Sequence, residues 1–455
     1  MIPRLVISGT ASGVGKTTVT VALTRALRTR GLRVAPFKCG PDYLDPTYHA
    51  RAAGSPCHNL DGWLMGQRAV LETFTRAASD ADIAIVEGVM GTFDGASPTS
   101  DAGSTAQIAK WLAAPVALVC DASGMARSIA ALVHGFATFD PALRIGAVIA
   151  NRVGSRGHLD LLRKALPAPP IAGGFTEDAL LAFPERHLGL TTAAHDVVPE
   201  SLFAAWGERA AEWLDLDALL ELARSAPALP TRASASAVRA SASSRCRIGV
   251  AHDAAFHFYY EDNLRRLEAL GAELVRFSPL RDRELPAVDG LYIGGGYPEI
   301  HAEELAANKA LLGRIADFSA AGGPIYAECG GLMLLTAGIT TSDGRLHPMV
   351  GVFPAHAEMR DRLQALGYVE VETTAPTPLG ATGVRFRGHQ FRYSELRQLD
   401  RIDCAYAVRR SRDGELSREG WIVKNTLGSY VHAHWGENPA AAAGFVDACV
   451  AFRTR

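Results

Sequence analysis

The chain has 455 residues, too many for one ordinary core, so two or three domains are expected. Hydrophobic residues make up 48% and charged ones 21%, the balance of a soluble globular protein, and the net charge of -2 gives no general attraction to nucleic acid or anionic membrane. No run reaches the roughly 18 apolar residues of a spanning helix, and the N-terminus does not read as a signal peptide. The seven cysteines are odd in number, scattered and without a C-x-x-C pair. That argues against a disulfide framework or a structural zinc site and makes the cytoplasm the expected address.

In chain order, the first predicted element is the apolar strand Arg4–Gly9. It leads through Thr10-Ala11-Ser12-Gly13-Val14-Gly15-Lys16-Thr17-Thr18 into a helical stretch from Thr17 to Arg30, closed by Gly31. A loop between a strand and a helix turns several backbone N–H groups toward one point, which suits a polyphosphate. Gly13 and Gly15 would let the main chain approach the anion, with Thr18 beside them. Lys16 would reach the β and γ phosphates of ATP, and the Thr17 hydroxyl would ligate Mg²⁺.

Further strands are predicted at Arg33–Phe37, Ile83–Glu87, Val116–Cys120 and Ile145–Asn151, alternating with helical patterns. Continuous apolar strands separated by helices indicate a parallel sheet covered on both faces, whose ligands gather at the strands' carboxyl ends. Glu87 stands at one such end, ahead of Gly88-Val89-Met90-Gly91-Thr92-Phe93-Asp94-Gly95. Lys38-Cys39-Gly40-Pro41-Asp42-Tyr43-Leu44-Asp45-Pro46 follows another. A single Asp in a Gly/Pro-rich loop ordinarily makes a turn. Four acids at two strand ends beside a phosphate loop point further: Asp45 and Glu87 to the metal, Asp42 and Asp94 to support of phosphoryl transfer. Asn151 reads either as an adenine contact or as a turn residue, and Asp121 as a turn residue.

An Ala/Ser-rich stretch over 225–245 has no apolar period and reads as a linker, giving domains 1–224 and 246–455. Beyond it, strands at Arg247–Ala251, Glu273–Phe277 and Gly290–Ile293 and a helix around Asn263–Leu270 predict a second α/β domain. The strand Pro324–Ala327 then runs into Glu328-Cys329-Gly330-Gly331 and the apolar Leu332–Leu335. A sharp strand-to-helix turn exposes a sulfur and lets a histidine deprotonate it, so Cys329 is the expected nucleophile. The other six cysteines read as small buried hydrophobes. Oxyanion donors are expected from Gly295 and Gly296, within Gly294-Gly295-Gly296-Tyr297-Pro298-Glu299, together with Gly330. Three histidines compete as base: His432 and His434, which share one face of a strand, and His389.

Together these segments closely resemble the cobyrinic (or hydrogenobyrinic) acid a,c-diamide synthases of corrinoid biosynthesis, nearly end to end. The resemblance rests on the phosphate loop, Lys38–Pro46, Glu87–Gly95, Gly294–Glu299, Ala327–Gly331 and Ser429-Tyr430-Val431-His432-Ala433-His434. The phosphate loop has its first glycine at Gly9 rather than at Thr10, as in the dethiobiotin synthetase-like branch. The fold implied is two doubly wound α/β domains: an N-terminal P-loop, dethiobiotin synthetase-like domain and a C-terminal class I glutamine amidotransferase-like domain. The activity implied is amidation of the a and c acetate groups of the macrocycle, with MgATP and glutamine or ammonia. The implied partners are therefore small molecules, with neither nucleic acid nor membrane among them, and a homodimer is one assembly open to the chain. The resemblance selects His432 as base, since Gly428-Ser429-Tyr430-Val431-His432 aligns with the family's Gly-Thr-Tyr-x-His. It leaves the third triad member unassigned, because His434 stands where other glutaminases have Glu. Where relatives read Gly-His-Glu-Phe-His-Tyr-Ser, this chain has Arg392 in Gly388-His389-Gln390-Phe391-Arg392-Tyr393-Ser394. Two rival readings are a cobyric acid synthase acting on other corrinoid carboxylates, and a P-loop ATPase switch fused to a non-catalytic sensor domain.

Overall fold

The computed structural model of the protein describes residues 2–177, 183, 185–186, 189–190, 198–229 and 244–454. Its contacts divide the chain into two units, Met1–Ala235 and Ser236–Arg455. Of the 225–245 stretch read as a linker, residues 230–243 lie outside the described residues.

The first unit alternates strands with helices: β1 (Arg4–Gly9), α1 (Lys16–Thr29), β2 (Val34–Cys39), α2 (Asp45–Ala53), β3 (His58–Leu60) and α3 (Gly62–Ala77). There follow β4 (Ile83–Glu87), α4 (Thr105–Trp111), β5 (Val116–Asp121), α5 (Ser128–Phe139), β6 (Ile145–Asn151), α6 (Arg156–Ala165) and β7 (Ile171–Gly173). A two-residue pair, β8 (Glu185–Arg186) and β9 (Gly189–Leu190), precedes α7 (Glu200–Trp213) and α8 (Leu216–Arg224). Strands β1 to β7 form one parallel sheet in the order β3-β2-β4-β1-β5-β6-β7. Strands β1, β2 and β4 are buried along their whole length, because each is an apolar run with helices on both faces. Register then does the positioning. Ile7 pairs with Glu87 and Lys38 pairs with Glu87, so the ends of β1, β2 and β4 meet at one edge.

The second unit opens in the same alternating style with β10 (Cys246–Ala251), α9 (Glu261–Ala269), β11 (Ala272–Phe277) and β12 (Gly290–Ile293). Then come α10 (Ala302–Ala307), α11 (Lys309–Ala320), β13 (Ile325–Glu328) and α12 (Gly330–Leu335). Next is a run of strands: β14 (Thr336–Thr340), β15 (Leu346–Pro348), β16 (Phe353–Met359), β17 (Ala365–Thr373), β18 (Arg385–Arg392) and β19 (Ser394–Gln398). The chain ends with β20 (Asp403–Arg410), β21 (Leu416–Val423), β22 (Thr426–Ser429), β23 (His432–His434) and α13 (Ala440–Arg453). The main sheet runs β11-β10-β12-β13-β22-β21-β20-β17-β18-β23 and is parallel from β11 to β22 and antiparallel beyond. A separate sheet, β15-β14-β16-β19, lies beside it.

The antiparallel run was not anticipated from the sequence. Its strands bury alternate residues, as in β17, so they lack the continuous apolar signature of β10 to β13. The run also curls. Strands β22 and β23 stand at opposite ends of a six-strand series, yet only Tyr430 and Val431 separate them in sequence. Three peptide steps span at most about 11 Å, so the series must turn back on itself, in the manner of a barrel wall.

Candidate active sites

The phosphate loop of the first unit bends at Gly13 (φ 76°) and Gly15 (φ 94°), both left-handed and favourable to glycine. A Cβ on Gly15 would sit 2.1 Å from Asn151 Nδ2, so the glycine also makes room for that side chain. Asn151 Nδ2 donates to the carbonyl of Val14 at 2.9 Å, bracing the loop. Arg152, itself at φ 59°, donates to the Gly13 carbonyl at 3.0 Å and pairs with Asp121 at 2.5 Å. Asp121 also closes a turn by accepting from the Ser123 backbone at 3.0 Å. Lys16 folds back over the loop, its ammonium donating to the Ala11 carbonyl at 3.0 Å. Burial lowers its pKa, with nearby Lys38 adding to the effect and the surrounding acids opposing it.

Under the loop, the Thr17 hydroxyl donates to Glu87 Oε1 at 2.7 Å and lies 3.3 Å from Asp45 Oδ2. Lys38 Nζ meets Asp45 at 2.6 Å and Glu87 at 2.8 Å, and His49 Nε2 contacts the other oxygen of Glu87. Glu87 is fully buried; burial alone would raise its pKa, but Lys38 and His49 hold it down at about 2. It is ionised at any working pH. Asp42 Oδ1 accepts from the backbone of Leu44 and Asp45, starting α2, while its other oxygen is 4.0 Å from Lys38. Burial beside Asp45 pushes Asp42 up to about 7. Asp94 is exposed, and its Oδ2 closes the 91–94 turn by accepting from Gly91 at 3.0 Å. Of the residues singled out in the sequence, Gly13, Gly15, Lys16, Thr17, Thr18, Asp42, Asp45, Glu87 and Asn151 line one cavity of about 630 Å³, and Asp94 is not among its walls.

Three oxygen ligands of the hard type converge here, from Thr17, Asp45 and Glu87, which fits Mg²⁺ carried in with a polyphosphate. Among the described residues no group of three or more His, Cys, Asp or Glu forms a metal cage of its own. Sequence reasoning gave no role to Lys38 or His49. Lys38 had a visible signal, a cation at a strand end in a sheet whose other ends carry acids.

In the second unit, Cys329 sits between β13 and α12 with φ 49° and ψ -104°, a strained conformation for a residue with a side chain. The elbow is held by the Cys329 N–H donating to the Ser429 carbonyl at 2.7 Å. Gly330 and Gly331 are obligatory at this corner. A Cβ on Gly331 would lie 2.1 Å from the Ile293 carbonyl oxygen, and one on Gly330 would lie 3.1 Å from the Gly296 nitrogen. Gly330 and the Gly294–Glu299 turn are therefore in direct apposition, as an oxyanion pocket needs. The thiol lies 3.9 Å from the Phe391 carbonyl oxygen. Burial, with Glu299 adding to it, raises its pKa to about 12, so it rests as the neutral thiol.

The two histidines of β23 are separated by what they meet. His432 Cε1 stands against Gly295, where a Cβ would approach it to 2.4 Å. Gly295 thus touches His432 while its neighbour Gly296 touches Gly330. Burial lowers His432 to about 3, with His389, its cross-strand partner, adding to the effect. Its imidazole is therefore held neutral. His434 lies instead beside the Tyr260 ring at 4.8 Å and accepts from the Gly436 N–H at 3.0 Å. Glu328 supplies an anchor that sequence reasoning missed. It accepts from Tyr326 at 2.6 Å, Tyr292 at 3.1 Å and the backbone of Ala433 at 2.9 Å, fixing the strand between the histidines. Burial raises it to about 7 against those donors.

Residues 5–171 match the family described as the CobQ/CobB/MinD/ParA nucleotide binding domain, and residues 247–440 the CobB/CobQ-like glutamine amidotransferase domain. Over 454 residues the chain is 52% identical to a cobyrinate a,c-diamide synthase of Leptospira interrogans, covering 99% of each. It is 50% identical over 458 residues to one from Syntrophotalea carbinolica, covering 98% of each. It is 42% identical over 479 residues to one from Methanosarcina acetivorans, covering 99% of this chain and 96% of that one. A phosphate cradle and a strained thiol elbow recur in one chain with relatives matched from end to end, and the chain belongs to the cobyrinate a,c-diamide synthase family.

Proposed function

We propose that this chain is a cytoplasmic ligase that amidates the a and c acetate carboxylates of cobyrinate or hydrogenobyrinate, using ATP and glutamine, in cobalamin biosynthesis. A substrate carboxylate attacks the γ-phosphorus of ATP held on the loop, giving an acyl phosphate and ADP. Lys16 orients the phosphates and offsets charge on the transferred group; Asp42 supports the same half-reaction, and Asp94, outside the cavity walls, acts only through its charge on Lys16. Thr17, Asp45 and Glu87 would hold Mg²⁺, whose chemistry when bound is charge neutralisation on the phosphates. Lys38 pairs with both Asp45 and Glu87 and holds them close together.

In the other half-reaction, Cys329 Sγ attacks the carboxamide carbon of glutamine while His432 accepts the thiol proton. The backbone amides of Gly295, Gly296 and Gly330 receive the oxyanion. His432 returns the proton to the departing ammonia, and water releases glutamate from the thioester. Ammonia then attacks the acyl phosphate, displacing phosphate and leaving the amide. The observation that carries this reading is the strained, buried Cys329 against Gly330, with the 295–296 turn in contact with both Gly330 and His432.

Amidation assayed with glutamine or with ammonium salts tests it. Cys329→Ala should abolish the first and leave the second intact, whereas Lys16→Ala should abolish both. Loss of ammonia-dependent amidation in a folded Cys329→Ala protein would overturn the division of labour.

A further inference from the structure

Two charged side chains near the thiol have no part in the chemistry above. Glu299 ends the Gly294–Glu299 turn, and the Pro298 before it packs on the nucleophile elbow, where a Cβ on Gly330 would meet the proline Cδ at 2.9 Å. Arg392 follows Phe391, the residue whose carbonyl oxygen faces Cys329 Sγ at 3.9 Å. Its guanidinium lies 4.4 Å from the centre of the Tyr430 ring, and Nη1 donates to the Ser394 carbonyl at 2.7 Å. Its Nε is buried without a hydrogen-bond partner. Glu299 takes a hydrogen bond from its own backbone and, among the described residues, pairs with no cation. Both charges reach the sulfur: Glu299 raises the thiol's pKa and Arg392 lowers it.

A half-buried carboxylate without a cation is costly to keep, and so is a buried guanidinium N–H without an acceptor. Glu299 becomes favourable when a ligand brings a cation, and Arg392, which already has the buried Glu419 as a charged neighbour, when one brings an acceptor to its Nε. Glutamine carries an ammonium and a carboxylate on one carbon, three bonds from the carboxamide carbon that the thiol attacks. We propose that Glu299 and Arg392 form the amino-acid clamp of the glutamine site, Glu299 receiving the α-ammonium and Arg392 the α-carboxylate. The clamp rests on the glutaminase reading and deepens it. It aligns the carboxamide with Cys329, and it excludes simple amides that would otherwise be hydrolysed. It also gives Arg392 a role at the thiol.

The test is ammonia release from three probes: glutamine, glutaramate, which lacks the α-ammonium, and 4-aminobutanamide, which lacks the α-carboxylate. Charge-assisted hydrogen bonds of this kind are worth about 10- to 100-fold each. Wild-type protein should disfavour both analogues on that scale. Glu299→Gln should lower kcat/KM for glutamine by about 10- to 100-fold, mainly through KM, and erase the preference over glutaramate. It should keep the preference over 4-aminobutanamide. Arg392→Gln should do the converse, and neither should change ammonia-driven amidation. Equal losses on all three probes, or unchanged preferences, would overturn the clamp. So would a raised corrinoid KM in ammonia-driven amidation by Arg392→Gln, which would assign that cation to the macrocycle. Wild-type protein that released no ammonia from glutamine would remove the glutaminase reading itself, and the clamp with it.

Discussion

Gly295→Ala is a one-carbon probe of which histidine serves the thiol. The new methyl would lie 2.4 Å from His432 Cε1 and 3.3 Å from two carbons of the Phe258 side chain. Carbon atoms pack at about 3.5 to 4.0 Å, so the imidazole must retreat by about 1 Å. The obstructing atom is the tip of a side chain, so the fold should accommodate the change. Catalysis should not: a displacement of about 1 Å costs on the order of a hundredfold, and full loss of a general base up to about ten-thousandfold. Glutamine-dependent kcat/KM should fall within that range, together with the rate at which iodoacetamide alkylates Cys329, while ammonia-dependent amidation stays within about twofold. Adding His432→Ala to Gly295→Ala should cost little more, since both act on one group. His434→Ala should leave alkylation nearly unchanged, because that ring faces Tyr260 and Gly436. Glutaminase activity that survives Gly295→Ala within about threefold would refute His432 as the base.

Two further outcomes follow from the buried charges. Lys38→Met leaves Asp45 and Glu87 facing each other without their shared cation, which should destabilise the first unit by about 3 to 5 kcal/mol in urea unfolding. Ammonia-dependent amidation should fail in that variant while glutaminase activity persists; a variant as stable as wild type would show that the pair is replaceable. Glu328 titrates at about 7 in the folded chain against an ordinary value of 4.5, so the folded state holds a proton that the unfolded state has lost between these values. Its contribution to stability therefore declines as pH rises from about 4.5 to 7, by about 3 kcal/mol in all. Glu328→Gln should flatten that part of the pH–stability profile, and superimposable profiles would count against a strained carboxyl there.

What could be read from the sequence was what local order encodes. Glu87 was visible because an apolar run stops at it, and Cys329 because two glycines follow a strand. Lys38 stood in a segment singled out for its acids, but its partner Glu87 is 49 residues away, and only strand register joins them. Asn151 was open between adenine and a turn; its amide holds the Val14 carbonyl, a contact made across 137 residues. His432 and His434 are equivalent by spacing; the family resemblance selected His432, and its contact with Gly295, on a different strand end, could not be read from either. Glu328 could not be read as an anchor, since it grips a backbone amide, which no side-chain pattern announces.

The curled wall of the second unit ties the Cys329 elbow to His432 by two unrelated routes along the chain. One is the short step from Ser429 to His432; the other passes around six strands and returns through β18, whose Gly388 faces Ala433. The β17–β18 hairpin carries neither Cys329 nor His432, yet it sets the height at which the His432 imidazole stands. A two-residue slip between β18 and β23 would keep every side chain on its own face and every apolar contact roughly matched, while shifting the imidazole by about 7 Å along the strand. Such an error would leave a protein that folds, binds nucleotide and uses ammonia, but is deaf to glutamine. On the proposed division of labour, loop-length changes between Thr373 and Arg385, far along the chain from Cys329, would tune the use of glutamine without altering the use of ammonia.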